Sequence, residues 1–132
     1  MPRIARIVAA GLPHHITQRG NNKQQVFFKK ADYEFYIKLI SKYRLEYNLS
    51  ILGYCLMPNH MHFIAIPLKN DSLAKTFHDV NANYTQYINK KTGKTGHLFQ
   101  GRYFSCVLDQ NHLIAALKYI ERNPVRAKFV DK

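Results

Sequence analysis

Ile51-Leu52-Gly53-Tyr54-Cys55-Leu56-Met57-Pro58-Asn59-His60-Met61-His62-Phe63-Ile64-Ala65-Ile66-Pro67 holds two apolar runs of strand length on either side of a Pro-Asn pair. Proline pre-sets the backbone for a turn and asparagine tolerates tight turn geometry, so the stretch predicts a β-hairpin with strands over 51–57 and 60–67. His60 and His62 share a strand face that continues as Ile64 and Ile66, so something apolar covers that face further along.

Working outward, residues 14–19 alternate and stop at Gly20, which reads as an earlier strand. Asp32 can cap a helix whose Tyr33, Tyr36, Ile37, Ile40, Tyr43 and Tyr47 lie on one face. A second helix starts near Ser72, buries Leu73, Phe77, Val80, Tyr84 and Ile88, and ends at Lys91-Thr92-Gly93. After a glycine-punctuated loop, 102–108 is strand-like. Asp109 can cap a last helix that must stop near Asn123, because Pro124 follows. The order β-α-β-β-α-β-α predicts an α+β, ferredoxin-like split β-α-β antiparallel sheet with helices on one face and one added C-terminal helix. In the usual topology the first and third strands are central, and the third carries His60 and His62.

A chain of 132 residues fits one domain, so residues 1–132 are expected to form a single unit. Its 46% hydrophobic content, with nine Tyr and eight Phe, is enough for a core and excludes compositional disorder. Twenty Lys and Arg against eight Asp and Glu give a net +12, which points to a polyanionic partner. The basic residues come in zones. The first thirty residues carry Arg3, Arg6, Arg19, Lys23, Lys29 and Lys30 and no acid, which favours a surface that tracks a nucleic-acid backbone. The apolar run at 7–13 is broken by Gly11 and is too short for a signal or membrane segment, so the chain is expected to be cytoplasmic, with no membrane partner. Cys55 and Cys106 are expected to stay reduced.

Residues two apart on a strand project from one face with Cα atoms roughly 6.5 to 7 Å apart, so His60 and His62 can converge on one ion. By spacing alone, the pair reads equally well as two histidines satisfied by hydrogen bonds. The last helix adds a stripe of His112, Tyr119 and Asn123 beside the core stripe of Leu113, Ala116, Leu117 and Ile120. Tyr119 off the core face suits either a packed ring with a wet hydroxyl or a nucleophile. Asn123 suits either a helix end before proline or an oxygen ligand completing the histidine pair. Two neutral nitrogens and one oxygen with open positions match Mg²⁺ or Mn²⁺.

Met57-Pro58-Asn59-His60-Met61-His62-Phe63-Ile64 resembles the HUH motif of single-strand DNA nucleases. Tyr119-Ile120-Glu121-Arg122-Asn123-Pro124-Val125-Arg126-Ala127 resembles the catalytic-tyrosine segment of REP-associated tyrosine transposases, relatives of the insertion-sequence transposases with one catalytic tyrosine. Ile16-Thr17-Gln18-Arg19-Gly20-Asn21-Asn22 with Val26-Phe27-Phe28, and Gly96-His97-Leu98-Phe99-Gln100-Gly101-Arg102-Tyr103, agree with the same family. The resemblance covers nearly the whole chain. It implies that His60, His62 and Asn123 hold Mg²⁺ or Mn²⁺, with Asn123 standing where the insertion-sequence relatives usually carry Gln, and that Tyr119 is the nucleophile. The implied activity is nicking and rejoining of hairpin-bearing single-stranded DNA through a 5′-phosphotyrosine link, that is, transposition by DNA recombination at REP-type elements. Monomer and homodimer are both compatible with it.

Arg19, His97, Arg102, Tyr103, Lys118, Arg122 and Arg126 are the candidate DNA contacts, with bases stacking on Tyr103 or Phe99. Two other readings fit the same fold. A non-catalytic nucleic-acid-binding module would display stacking aromatics on its third strand, where this chain has His60 and His62. A domesticated repressor or nickase would keep the binding surface with or without the chemistry.

Overall fold

The computed structural model describes residues 8–122, 126 and 127. In chain order it holds β1 (His14–Arg19), α1 (Lys30–Glu46), β2 (Leu49–Met57), β3 (His60–Pro67), α2 (Ser72–Thr92), β4 (Phe104–Val107), α3 (Gln110–Arg122) and a two-residue β5 (Arg126–Ala127). The strands form one sheet in the order β4-β1-β3-β2-β5, and every neighbouring pair is antiparallel. This is the ferredoxin-like α+β arrangement with a C-terminal helix, with β1 and β3 inside the sheet. The small strand β5 extends it beyond β2.

Alternation divides the sheet's side chains between two cores. Ile16, Met61, Phe63 and Ala65 face α1 and α2, in a cluster that also holds Tyr36, Phe77 and Tyr84. Cys55 and Ile64 face the other way and pack with Ile120 of α3, flanked by Leu113, Ala116 and Leu117. Thus α1 and α2 share one sheet face as expected, and α3 is the apolar cover over the second. Gly53 lies beneath α3, where an added Cβ would already be 3.5 Å from the Leu117 side chain.

The helix boundaries follow from local chemistry. Gly93 closes α2 in the left-handed conformation with φ 73°, as its place in the sequence predicts. Asp109 accepts the His112 backbone N–H at 2.8 Å and caps α3. Several boundaries differ from expectation, with β2 starting at Leu49, two residues early, and β4 ending at Val107. The first helix begins at Lys30, with Asp32 one turn inside, reaching back to accept the N–H groups of Phe28 and Lys29 at 2.9 Å each. The fourth strand begins at Phe104 and not at Arg102, because Gly101 turns the backbone through φ 56° and Tyr103 drops into the core against Phe77, with ring centroids 5.5 Å apart.

Asp32 also ties the two outer helices together. Its buried carboxylate accepts from Lys91 Nζ at 2.7 Å and from the Tyr87 hydroxyl at 2.9 Å, both on α2. Burial alone would raise the acid's pKa, but the hydrogen bonds from Lys91, Phe28, Tyr87 and Lys29 outweigh it and hold the group below its ordinary value. Its stabilisation is therefore complete above the ordinary carboxylate pKa of about 3.9 and fades as pH falls toward the lower folded value. Asp32→Ala leaves four donors without their acceptor and is expected to lower stability by roughly 3 kcal/mol near neutral pH, with the difference from wild type shrinking in acid, as read by urea unfolding across pH.

Candidate active site

Antiparallel pairing sets Arg19 opposite His60, Thr17 opposite His62 and His15 opposite Ile64. Directly paired residues project from the same side of a sheet, so His15, Thr17 and Arg19 stand beside His60 and His62 on the α3 face. The two β3 imidazoles lie with centroids 5.1 Å apart and planes at 89°. The Tyr119 ring of α3 meets His62 edge-on at 5.9 Å, yet remains 54% exposed. A half-exposed phenol beside a pair of imidazoles combines access from solvent with a fixed neighbour.

Each β3 imidazole has a defined partner at Nδ1. His60 Nδ1 lies 2.8 Å from Asn59 Oδ1, an acceptor, so it carries the proton and Nε2 keeps its lone pair. His62 Nδ1 is 3.0 Å from His15 Nε2 and 3.3 Å from Thr17 Oγ1. When His62 donates through Nδ1, its Nε2 is likewise a lone-pair donor. Metal-binding histidines are commonly oriented by this kind of hydrogen bond on the second nitrogen. Burial, then the Arg19 charge, lowers the His60 pKa. Burial, then His15, His60 and Arg19, pushes His62 down to about 4. Both rings are thus neutral at neutral pH, the form a cation needs. The pair fits a divalent ion as two legs of a site. Among the described residues no group of three or more His, Cys, Asp and Glu completes one, and Asn123, expected as the third ligand, lies outside the described residues.

The other candidates fall in two places. Arg19 is exposed at the histidines, and Lys118 is exposed on α3 beside Tyr119. Arg122 and Arg126 occupy α3 and β5. His97 and Arg102 sit on the 96–103 loop and line a groove against α2 together with Tyr103, whose ring is buried. That loop is fastened to the end of β1 by a Gly20–Phe99 bridge and by Gln100 N–H donating to the Arg19 carbonyl at 2.8 Å. Gly20 is required there, since a Cβ would stand 2.1 Å from the Gln24 carbonyl oxygen. His112 is occupied by the α3 cap, its Nδ1 2.8 Å from Asp109 Oδ1. Sequence reading missed His15 and Thr17. Their signal was the alternation of 14–19, which sets them on the face opposite the core residue Ile16.

A family model described as "Transposase IS200 like" matches residues 9–123. The chain belongs to the IS200-like transposase family. Among solved structures, this IS200-like transposase is similar to a REP-associated tyrosine transposase bound to a REP hairpin, with a TM-score of 0.75 and 20% identity over 95% of this chain and 73% of that one. It is also similar to a protein from Deinococcus radiodurans R1 provisionally assigned as a transposase, with a TM-score of 0.61 and 14% identity over 91% and 96% of the two chains. No curated protein matches it significantly. Among the described residues, no helix is long and apolar enough to cross a membrane.

The packing around His62 has a measurable consequence. A histidine held neutral in the fold and free to charge when unfolded makes stability rise with pH between the two values, here from about 4 to the ordinary 6.5. In the metal-free protein, ring-nitrogen NMR is expected to find His62 neutral until the pH approaches 4, and His15→Ala to move that midpoint upward by removing the adjoining ring. A midpoint near 6.5 in the wild type would show that the histidine cluster is open to water.

Proposed function

We propose that this IS200-like transposase nicks and rejoins hairpin-bearing single-stranded DNA, with Tyr119 as nucleophile and His60, His62 and Asn123 holding Mg²⁺ or Mn²⁺, residues 1–132 acting as one catalytic domain. The observation that carries the reading is the exposed Tyr119 ring set edge-on to His62 on the face that carries both β3 imidazoles. The REP-associated transposase of similar fold, bound to its REP hairpin, supports a hairpin as the class of substrate.

In this mechanism Arg19 on β1 and Lys118 on α3 attract the DNA backbone and hold the scissile phosphate near Tyr119. A phenol is a weak nucleophile at neutral pH, so the reaction depends on positioning and on charge neutralisation. A divalent cation held by His60, His62 and Asn123 would supply that charge neutralisation. The Tyr119 hydroxyl loses its proton as its oxygen bonds to phosphorus, the bond from phosphorus to the 3′ oxygen breaks, and that oxygen takes up a proton to leave a free 3′-OH. The 5′-phosphotyrosine conserves a phosphodiester, so a 3′-OH can later attack it and restore a continuous strand without ATP. Neutral His60 and His62 make no competing ion pair with the substrate and leave their lone pairs for the metal.

A labelled single-stranded hairpin incubated with Mg²⁺ or Mn²⁺, or with chelator, and resolved on a denaturing gel tests the proposal. The expected result is a metal-dependent covalent adduct with wild type that disappears with Tyr119→Phe and with His60→Ala. An adduct that persists in Tyr119→Phe overturns the nucleophile. Tight binding with no adduct across a range of flanked hairpins replaces the enzyme with a binding module or repressor.

A further inference from the structure

His15 lies outside the motifs that carry the histidine pair and the tyrosine, yet its side chain reaches into the site. Its partner across the β1–β3 ladder is Ile64, two positions beyond His62 on the same sheet face, so the two imidazoles are diagonal neighbours. Their planes lie within 23° of each other with centroids 5.1 Å apart. His15 Nε2 and His62 Nδ1 are only 3.0 Å apart, so the rings meet nitrogen to nitrogen through a hydrogen bond. Thr17 Oγ1 stands at the same His62 nitrogen at 3.3 Å. All three residues are half-buried.

The direction of that bond decides what His62 can do. Two neutral imidazoles joined in this way hold one N–H between them. If His15 donates, His62 Nδ1 is spent as the acceptor and the His62 proton sits on Nε2, so neither nitrogen is left for a cation. If His62 donates, His15 Nε2 accepts and His62 Nε2 keeps its lone pair. Thr17 suits the second arrangement, because its hydroxyl oxygen can share the same N–H. The two β3 histidines therefore differ in how they are held. His60 has its acceptor in the adjoining residue, Asn59 Oδ1 at 2.8 Å, whereas His62 meets β1. Metal-binding histidines commonly give their second nitrogen to a carboxylate, a carbonyl or water, and here an imidazole and a hydroxyl stand in that place.

We propose that His15 is a positioning residue that makes His62 a metal ligand, accepting the Nδ1 proton and so leaving the Nε2 lone pair for the cation, with Thr17 as auxiliary acceptor. The inference rests on the reading of His60 and His62 as a pair that holds a divalent ion, and deepens it by naming the group outside the ion's reach that selects the tautomer. His15 acts through His62 alone, since the nitrogen that faces the site is the one bonded to His62.

The test titrates the metal-free full chain with Mn²⁺ in the absence of DNA and reads free and bound Mn²⁺ by electron paramagnetic resonance. His15→Leu removes the acceptor and is expected to weaken Mn²⁺ binding roughly 10- to 100-fold. His15→Gln offers an amide oxygen in place of Nε2 and is expected to recover most of that loss, with thermal melts confirming that both variants are folded. Spin-echo modulation from nitrogens bound to Mn²⁺ supplies a readout that needs no variant at His15. It is expected to count two imidazoles in the wild type and one in His60→Ala. Three imidazoles in the wild type would make His15 a ligand and overturn the positioning role, as would equal affinities for folded His15→Leu and His15→Gln. A wild type that binds no Mn²⁺, or binds it as well after His60→Ala, overturns the metal-pair reading and this inference with it.

Discussion

The period-two alternation of β3, held between β1 and β2, is the constraint on which the rest depends. Met61, Phe63 and Ala65 are drawn into the core under α1 and α2, and the pleat then has no freedom over where their neighbours go. His60 and His62 must emerge on the other face, two positions apart. The same register brings His15, Thr17 and Arg19 up beside them from β1. A slip of one residue in either strand would bury imidazoles among the aromatics and expose Phe63, so the packing of the first core and the assembly of the site are one event.

The second core determines how the tyrosine reaches that site. Ile120 and its flanking residues seat α3 on Cys55 and Ile64, with Gly53 leaving room for Leu117. Tyr119 precedes the buried Ile120 by one position, and that offset turns its ring toward the rim of the contact, where it stays exposed and still touches His62. Electrostatics follow the same logic. The described part of the site has imidazoles and Arg19 and no carboxylate, so a +12 protein presents an anionic strand with attraction and little competition. Burial and positive neighbours keep the histidines uncharged, in the state that binds a cation and does not repel one.

Much of this was legible in the sequence where local chemistry decides the outcome. The strand at 60–67, the turn at Pro58-Asn59, the αL stop at Gly93 and the Asp109 cap each rest on residues a few positions apart. Features that depend on register or on distant packing were not legible. His15 and Thr17 acquire meaning only when β1 is aligned antiparallel to β3. Tyr103 reads as a stacking platform until Phe77 claims one face of it, and Asp32 reads as a helix start until Lys91 and Tyr87 make it a clasp between helices.

The most direct measurement of the central claim is an anomalous difference map at the manganese edge from crystals soaked in Mn²⁺. The account predicts one strong peak at bonding distance from a ring nitrogen of both His60 and His62, on the sheet face that carries Tyr119. A map with no peak at the β3 histidines, or with the ion on another face of the sheet, would contradict it.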